Sequence, residues 1–278
     1  MSGLRILVAE GNAPAGRARI ADSTGSTPSE SYAAVLRRLA PDATVDICFP
    51  ADPDPLLAAP LDSYGGVAVT GSSLNIYRGE PESMRQIEFA RSVFAVGLPM
   101  FGSCWGLQLA TVAAGGAVAA NPRGREVAFA RKVTLTEAGR AHAMHEGRAL
   151  AFDAPAIHAD EVATLAPGAI VTATNAMSQV QAAEIRVGRS VVWGVQYHPE
   201  YELSEVAATV RRYGQILVDD GFFPSLDALE TYAQEVSALG ADATRRDIAW
   251  RLDIGRELLV EEERVREIAN WIALQVRR

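Results

Sequence analysis

Short runs of aliphatic and β-branched residues recur through the first part of the chain. These runs are LRILVAE (4–10), ATVDICF (43–49), GGVAVT (65–70) and LPMFG (98–102), and continuous apolar runs of this length are typical of buried strands. SESYAAVLRRLA and PESMRQIEFARSVFAVG lie between them and have helical spacing. The alternation predicts an α/β fold, with a mostly parallel sheet and flanking helices.

After Gly116 the pattern changes. REVAFARKVTLT, AIVTATN, VQAAEIRV and SVVWGVQYH follow as strand-like runs with no long helix between them, which predicts a small antiparallel portion. VGRS (187–190) contains the glycine of a tight hairpin turn. From Leu203 the chain becomes helical again, and we expect one domain over residues 1–220 and a helical C-terminal extension over residues 221–278.

Residues 11–28, GNAPAGRARIADSTGSTP, predict a long loop after the first strand. The segment is rich in glycine, serine, proline and arginine, and loops of this length are either functional lids or mobile. Neither this segment nor the rest of the chain contains the phosphate-binding pattern G-x-x-x-x-G-K-[ST]. The sequence therefore predicts no ATP site.

Apolar residues recur at helical spacing in the extension, at Leu259, Val265, Ile268, Ile272 and Val276. Packing of this helix on its own domain is the favoured interpretation, and a docking surface for a partner or a second copy, hence a homo-oligomer, is the alternative. We expect a chain that ends near Gly221 to keep some activity if it is soluble.

Composition and charge narrow the class of protein. The chain has 278 residues, 49% hydrophobic and 22% charged, as expected of a globular domain. Its net charge of −8 argues against nucleic acid as a ligand. No apolar run is long enough to cross a bilayer, no signal peptide is evident and only two cysteines occur, so we expect a cytoplasmic protein with free thiols.

One of these cysteines lies in GSCWG, between a strand-like run and a helix-like run. This G-x-C-x-G pattern is typical of a nucleophile elbow, with Cys104 at the nucleophile position. The turn would put the sulfur at a helix N-terminus, where N–H groups favour thiolate. The alternative is a small core residue, which is the usual fate of a free cysteine.

Two further segments carry groups that such a nucleophile needs. In VVWGVQYHPEY, His198 and Glu200 lie two residues apart, so on an extended chain Glu200 can accept a hydrogen bond from one nitrogen of His198. In AVTGSSLNIY, the small residues that begin at Gly71 can direct N–H groups to an oxyanion, with the Trp105 N–H as second donor. An ordinary turn is the alternative for the second segment.

Together, VTGSSLNIY, GSCWGLQ and GVQYHPE resemble the class I (triad-type) glutamine amidotransferases over roughly residues 4–218. The chain is similar to the glutaminase domain of GMP synthase. AIHADEV also looks like the family's His-x-Asp segment, while Ala128 stands where the family often has glycine.

The resemblance implies hydrolysis of the glutamine side-chain amide through a γ-glutamyl thioester, without a metal or other cofactor. It also implies roles for individual residues. Cys104 would be the nucleophile, His198 the base and Glu200 its orienting group. Gly71 and Trp105 would form the oxyanion hole. The implied substrate-binding residues are Gln108, Ser72 and His158.

Four functions remain open at this point. The first is a glutaminase that supplies ammonia to an acceptor, on a separate synthetase subunit. The alternative is a stand-alone γ-glutamyl hydrolase or peptidase acting on another γ-glutamyl compound. A non-enzymatic scaffold and a metal hydrolase are less favoured, and the metal site of the latter would use His158, Asp160, His198 and Glu200.

Overall fold

A computed structural model describes residues 3–277 and confirms the α/β fold class. The strands are β1 (Arg5–Ala9), β2 (Thr44–Cys48), β3 (Gly66–Val69), β4 (Met100–Ser103), β5 (Ala117–Ala120), β6 (Glu126–Leu135), β7 (Ala151–His158), β8 (Asp160–Thr164), β9 (Ile170–Thr174), β10 (Ala182–Val187) and β11 (Ser190–Val195). The α-helices are α1 (Pro14–Thr24), α2 (Pro28–Leu39), α3 (Pro81–Val96), α4 (Trp105–Ala113), α5 (Glu137–Arg140), α6 (Leu203–Asp219), α7 (Leu226–Ala241), α8 (Arg246–Leu252), α9 (Arg256–Leu259), α10 (Glu261–Arg264) and α11 (Arg266–Trp271). Short 3-10 helices span Leu61–Ser63, Ile76–Arg78 and Ala143–His145, and a π-helix spans Ile272–Val276.

The central sheet has nine strands in the order β2-β1-β3-β4-β11-β10-β9-β6-β7. The strands from β2 to β11 are parallel, and those from β11 to β7 are antiparallel. A second, two-stranded sheet pairs β5 with β8. The predicted strands near the N-terminus are confirmed to within about two residues at each end, and their carboxyl ends meet at one edge of the sheet.

The predicted hairpin is also confirmed. Val187 pairs with Ser190 across the turn between β10 and β11, and Gly188 has a φ of 57°. This left-handed conformation is the one that a two-residue hairpin loop requires and that glycine adopts without strain. The hairpin brings β11 back beside β4, so that the end of β11 reaches the turn that follows β4.

The expectation of a loop over residues 11–28 is wrong. Most of the segment forms α1, which has proline at its first turn and ends at Gly25 in the left-handed conformation. Thr27 then begins α2 through a reciprocal capping box with Glu30. The pattern did not indicate α1 because this helix has no apolar stripe, and among its residues only Gly16 is buried. The helix lies over the carboxyl edge of the sheet, next to α6.

The C-terminal extension packs on its own chain, as favoured from its spacing. Val265, Ile268 and Ile272 are buried in the same cluster as Ile6 and Val8 of β1. The rings of Phe101 and Trp271 are 5.9 Å apart. The apolar side chains of α7 to α9 pack on α6 in a separate cluster. The extension therefore completes the core on one face of the sheet. No helix within residues 3–277 has both the length and the hydrophobicity to span a membrane.

A buried ion pair fixes α11 to the sheet domain. Glu267 is fully buried, and its carboxylate accepts hydrogen bonds from Arg148, whose side chain is itself 4% exposed. Burial alone would raise the pKa of Glu267, but the charge of Arg148 and hydrogen bonds from His145 and Arg148 outweigh burial and lower it to about 2. The pair is therefore ionised across the neutral range.

We expect this pair to make the free energy of unfolding fall in acid. An unfolded glutamate has a pKa of about 4.3, so the stabilisation is complete above that value and is lost as the pH falls towards about 2. Between about pH 6 and about pH 3 the loss amounts to about 2 kcal/mol. Denaturant titrations at both pH values measure it.

Glu267→Gln is the matched variant. It leaves Arg148 buried without a counter-charge, so we expect it to be less stable near neutral pH by about 3–5 kcal/mol. Between about pH 6 and about pH 3, its free energy of unfolding should fall by about 2 kcal/mol less than that of the native chain. An equal acid loss in both proteins would contradict the assignment of this pH dependence to Glu267.

Candidate active site

Cys104 lies in a sharp turn between β4 and α4. It has a φ of 50° and a ψ of −97°, a conformation that is strained for a residue with a side chain and that often occurs at active sites. Its N–H donates to the Val195 carbonyl at 2.7 Å, and its carbonyl accepts from the Gln108 N–H. The strand-to-helix elbow predicted from GSCWG is therefore present.

The glycines on either side of Cys104 allow this turn. A Cβ atom at Gly102 would lie 2.3 Å from the carbonyl carbon of Gly106, and one at Gly106 would lie 2.8 Å from the Val69 oxygen. The second cysteine, Cys48, is also free and buried, and burial raises the pKa of its thiol to about 12.

His198 and Glu200 follow the end of β11, beside the elbow. His198 Nδ1 is 2.8 Å from Glu200 Oε1, and both side chains are nearly fully buried. The carboxylate fixes the imidazole with its other nitrogen, Nε2, free for a partner. The thiol of Cys104 lies close enough to this imidazole to raise the pKa of His198. Side chains from two separate segments thus lie beside each other at the elbow.

The surroundings of His198 favour its protonated imidazolium form in the protein interior. Burial alone would lower the pKa of His198, but the charge of Glu200, the nearby Cys104 side chain and the hydrogen bond with Glu200 outweigh burial and raise it to about 10. The Tyr201 ring is stacked on the imidazole, with centroids 4.0 Å apart and planes 11° apart. Tyr201 therefore restricts the orientation of the ring.

The turn after β3 faces this group. A Cβ atom at Gly71 would lie 2.4 Å from His198 Cε1, so only glycine allows the imidazole its position. The Gly71 carbonyl accepts hydrogen bonds from Asn12 Nδ2 and Thr70 Oγ1, and the Ser73 N–H donates to Asn12 Oδ1. Within residues 3–277, the N–H groups of Gly71 and Trp105 have no protein acceptor.

A cavity of about 230 Å³ opens beside the imidazole. Its floor includes Gly71, His198 and Tyr201, and its walls come from α1 and α6. The side chains that line the cavity from these two helices are Arg19, Ile20, Arg212, Tyr213 and Ile216. α6 departs from helical geometry at Gly214, whose φ is 22°. The cavity is thus bounded by apolar and cationic side chains next to the Cys104–His198 pair.

Comparisons with known proteins identify the family and support the fold. Residues 61–212 match the family model described as glutamine amidotransferase class-I, a segment that contains the turn after β3, the elbow and the His-x-Glu segment. This chain belongs to that family. A crystal structure of a glutamine amidotransferase from Thermotoga maritima has a TM-score of 0.63 and covers all of both chains at 17% sequence identity, which supports the fold.

Two relatives differ in how much of their length this amidotransferase chain matches. A gamma-glutamyl-L-1-hydroxyisopropylamide hydrolase from a Pseudomonas species is 42% identical over 275 residues, covering 98% of this chain and 93% of that protein. A GMP synthase from Nitrosomonas eutropha is 31% identical over 49% of this chain and 25% of that protein. Family membership and the first relative together make this amidotransferase a hydrolase.

The residues expected to bind substrate lie in different surroundings. Ser72 lines the cavity. Gln108 Nε2 lies 3.2 Å from Gln196 Oε1 and 3.4 Å from the Asp160 carbonyl. His158 is buried and uses both ring nitrogens within the protein, Nε2 with Glu126 and Nδ1 with the Asp160 carbonyl. Both ring nitrogens of His158 are thus occupied, which leaves neither of them free for a substrate.

The four residues of a metal site are not brought together either. His158 pairs with Glu126, whereas His198 pairs with Glu200, and the Asp160 carboxylate accepts from Asn75 and Tyr77. Within residues 3–277 no group of three His, Cys, Asp or Glu side chains is arranged to hold a metal ion.

Two residues of this amidotransferase site were missed in the sequence. Gln196 is fully buried, and its Nε2 lies 3.4 Å from Cys104 Sγ. It stands two residues before His198 in GVQYHPE, so the period of a strand could have indicated it. Asn12, which holds the Gly71 turn, lies in the segment taken as a loop, where no local pattern marked it.

Proposed function

We propose that this chain hydrolyses the amide bond of a γ-glutamyl compound through a thioester on Cys104, without a partner subunit. The observation that carries the proposal is the His198–Glu200 pair close to Cys104, beside a cavity whose walls belong to this chain. The covering helix α1 comes from the chain's own N-terminal segment, so the site is enclosed without a second protein.

His198 would hold the proton that the thiol gives up. Its pKa of about 10 makes the imidazole cationic near neutral pH, and the cation stabilises the adjacent sulfur as a thiolate. Gln196 Nε2, 3.4 Å from Sγ, adds a neutral donor to the sulfur. Glu200 keeps the proton of Nδ1 on the side away from Cys104, so that Nε2 carries the transferable proton.

In the first half of the reaction, the thiolate attacks the γ-carbonyl carbon. The carbonyl oxygen becomes an oxyanion that accepts hydrogen bonds from the N–H groups of Gly71 and Trp105. The carbon–nitrogen bond then breaks as the leaving nitrogen takes the proton from His198 Nε2. The products of this half are a free amine and a γ-glutamyl thioester on Cys104.

In the second half, water replaces the amine. His198 Nε2 takes a proton from water as the water oxygen attacks the thioester carbon. The carbon–sulfur bond breaks, glutamate leaves, and the thiolate and imidazolium are restored. Asn12 acts through the Gly71 turn, which its hydrogen bonds hold in place, so the oxyanion donors are arranged before substrate arrives.

The cavity favours a substituted amide over glutamine itself. Because the leaving nitrogen takes its proton from His198, its substituent extends into the space between α1 and α6. Ile20 and Ile216 contribute apolar surface there, which suits an alkyl group. The Pseudomonas relative is named for an amide of this kind, with a small hydroxyalkyl amine, and matches this chain over nearly its whole length.

Ammonia supply from glutamine to a separate synthetase is the second candidate function. The observation in its favour is the match to GMP synthases, such as that from Nitrosomonas eutropha. In this case the purified chain would act on glutamine, with the acceptor enzyme needed for full activity.

A direct assay separates the two functions. The purified chain is supplied with L-glutamine or with γ-glutamyl-L-1-hydroxyisopropylamide, and glutamate release is measured without any added protein. Because each buried methylene contributes about 0.8 kcal/mol, we expect kcat/KM to be about 10- to 100-fold higher for the substituted amide. Turnover of glutamine but not of the substituted amide would contradict the proposal, and so would turnover that requires an added synthetase. The Cys104→Ala variant gives the background rate.

A further inference from the structure

Two arginines line the cavity beside His198 without an acidic partner. Arg19 projects from α1 and is exposed, and Arg212 projects from α6 and is half-buried. Within residues 3–277, no carboxylate lies within ion-pair distance of either guanidinium. Their neighbours in sequence differ, because Arg17 pairs with Asp52 and Arg211 with Glu230.

The guanidinium of Arg212 is held in place by neutral groups. It donates to Ser23 Oγ on α1 and to Thr209 Oγ1 on α6, each at 3.1 Å. These bonds orient the group and connect the two walls of the cavity, yet they leave its charge uncompensated. In a chain with a net charge of −8, a pair of uncompensated cations at the catalytic cavity is unusual.

Both arginines act on one part of the cavity. Burial raises the pKa of Tyr213, and the charges of Arg212 and Arg19 each oppose that rise. Tyr213 therefore lies within the field of both cations. Guanidinium groups bind carboxylates through charge-assisted hydrogen bonds of fixed geometry, and such bonds gain strength where water is excluded.

We propose that Arg19 and Arg212 form a carboxylate-binding subsite in this cavity. The inference rests on the proposed function, since it assigns the subsite to a carboxylate of a γ-glutamyl substrate. Two carboxylates share this chemistry: the α-carboxylate of the γ-glutamyl group, and one carried by the leaving amine when that amine is an amino acid.

Kinetics of charge-removing variants test the subsite. Arg19→Met and Arg212→Met, alone and combined, are compared with Arg211→Met, which removes an exposed arginine of the same helix that already has a partner. Loss of a charge-assisted bond is expected to lower kcat/KM by about 10- to 100-fold through KM. Arg211→Met should leave kcat/KM unchanged.

Three substrates distinguish the two carboxylates. γ-Glutamylglycine and γ-glutamylethylamide have leaving amines of similar size, and only the first carries a second carboxylate. The third is γ-glutamylethylamide with its α-carboxylate converted to a carboxamide, used as an inhibitor if it is not turned over. If the arginine variants lose kcat/KM only with γ-glutamylglycine, the subsite binds the carboxylate of the leaving amine. If they lose kcat/KM equally with the first two substrates, and the third compound is unaffected, the subsite binds the α-carboxylate.

Changes in kcat/KM below about twofold for every variant and every substrate would overturn the proposed subsite. The same holds if Arg211→Met loses as much activity as the other variants. Binding of L-glutamate, measured by titration calorimetry, needs no turnover. If the chain hydrolyses no γ-glutamyl amide yet loses glutamate affinity in Arg19→Met and Arg212→Met, the proposed function fails while the carboxylate subsite stands.

Discussion

Cys104→Ser is expected to lower kcat for γ-glutamyl amide hydrolysis by about 10⁴-fold or more, the scale seen when a member of a catalytic triad is removed. The alcohol does not ionise beside His198 as the thiol does, so the attacking group becomes a poor nucleophile. The change replaces sulfur with a smaller oxygen, so the fold should remain intact. Steady-state kinetics with circular dichroism on the same samples measure both effects.

Cys48→Ala is the matched control for this variant. Cys48 lies at the end of β2, is buried and has a thiol pKa of about 12, so its loss should leave kcat unchanged. Alkylation gives a second readout, since iodoacetamide should label the native chain once, at Cys104. A Cys104→Ser protein within tenfold of native kcat would show that the sulfur is not the nucleophile.

A chain that ends at Gly221 is expected not to fold. This reverses the sequence-based expectation that such a chain keeps some activity, because Val265, Ile268, Trp271, Ile272 and Val276 are buried in the core that contains β1. Their burial contributes on the order of 10 kcal/mol, comparable with a whole domain stability of about 5–15 kcal/mol. Truncation also leaves Arg148 without Glu267.

Thermal unfolding followed by circular dichroism tests this expectation. The truncated chain should show no cooperative transition and no activity. Trp271→Ala is the smaller companion change, expected to lower the free energy of unfolding by about 3–5 kcal/mol while kcat per folded molecule is unchanged. A truncated chain that unfolds cooperatively and hydrolyses substrate would contradict this account of the extension.

The parts of the fold that could be predicted are those with a local signal. The strands β1 to β4, the hairpin at residues 187–190 and the apolar face of the extension follow from the period of apolar residues and from one glycine. The elbow at Cys104 followed from two glycines, because the turn excludes any larger residue there. The helix α1 was missed because its face towards the protein presents few apolar side chains.

The sequence by itself determined which chemical groups are available: the thiol of Cys104 in a strand-to-helix turn, and His198 and Glu200 two residues apart after a strand. The chain turns between these two residues, where the sequence predicted an extended segment. Only the tertiary structure decided which groups meet. Gln196 reaches the sulfur across 92 residues of chain, Asn12 holds a turn 59 residues away, and His158 is committed to Glu126. Side-chain period is a property of neighbouring residues, whereas these contacts arise when strand order and helix packing bring distant segments together.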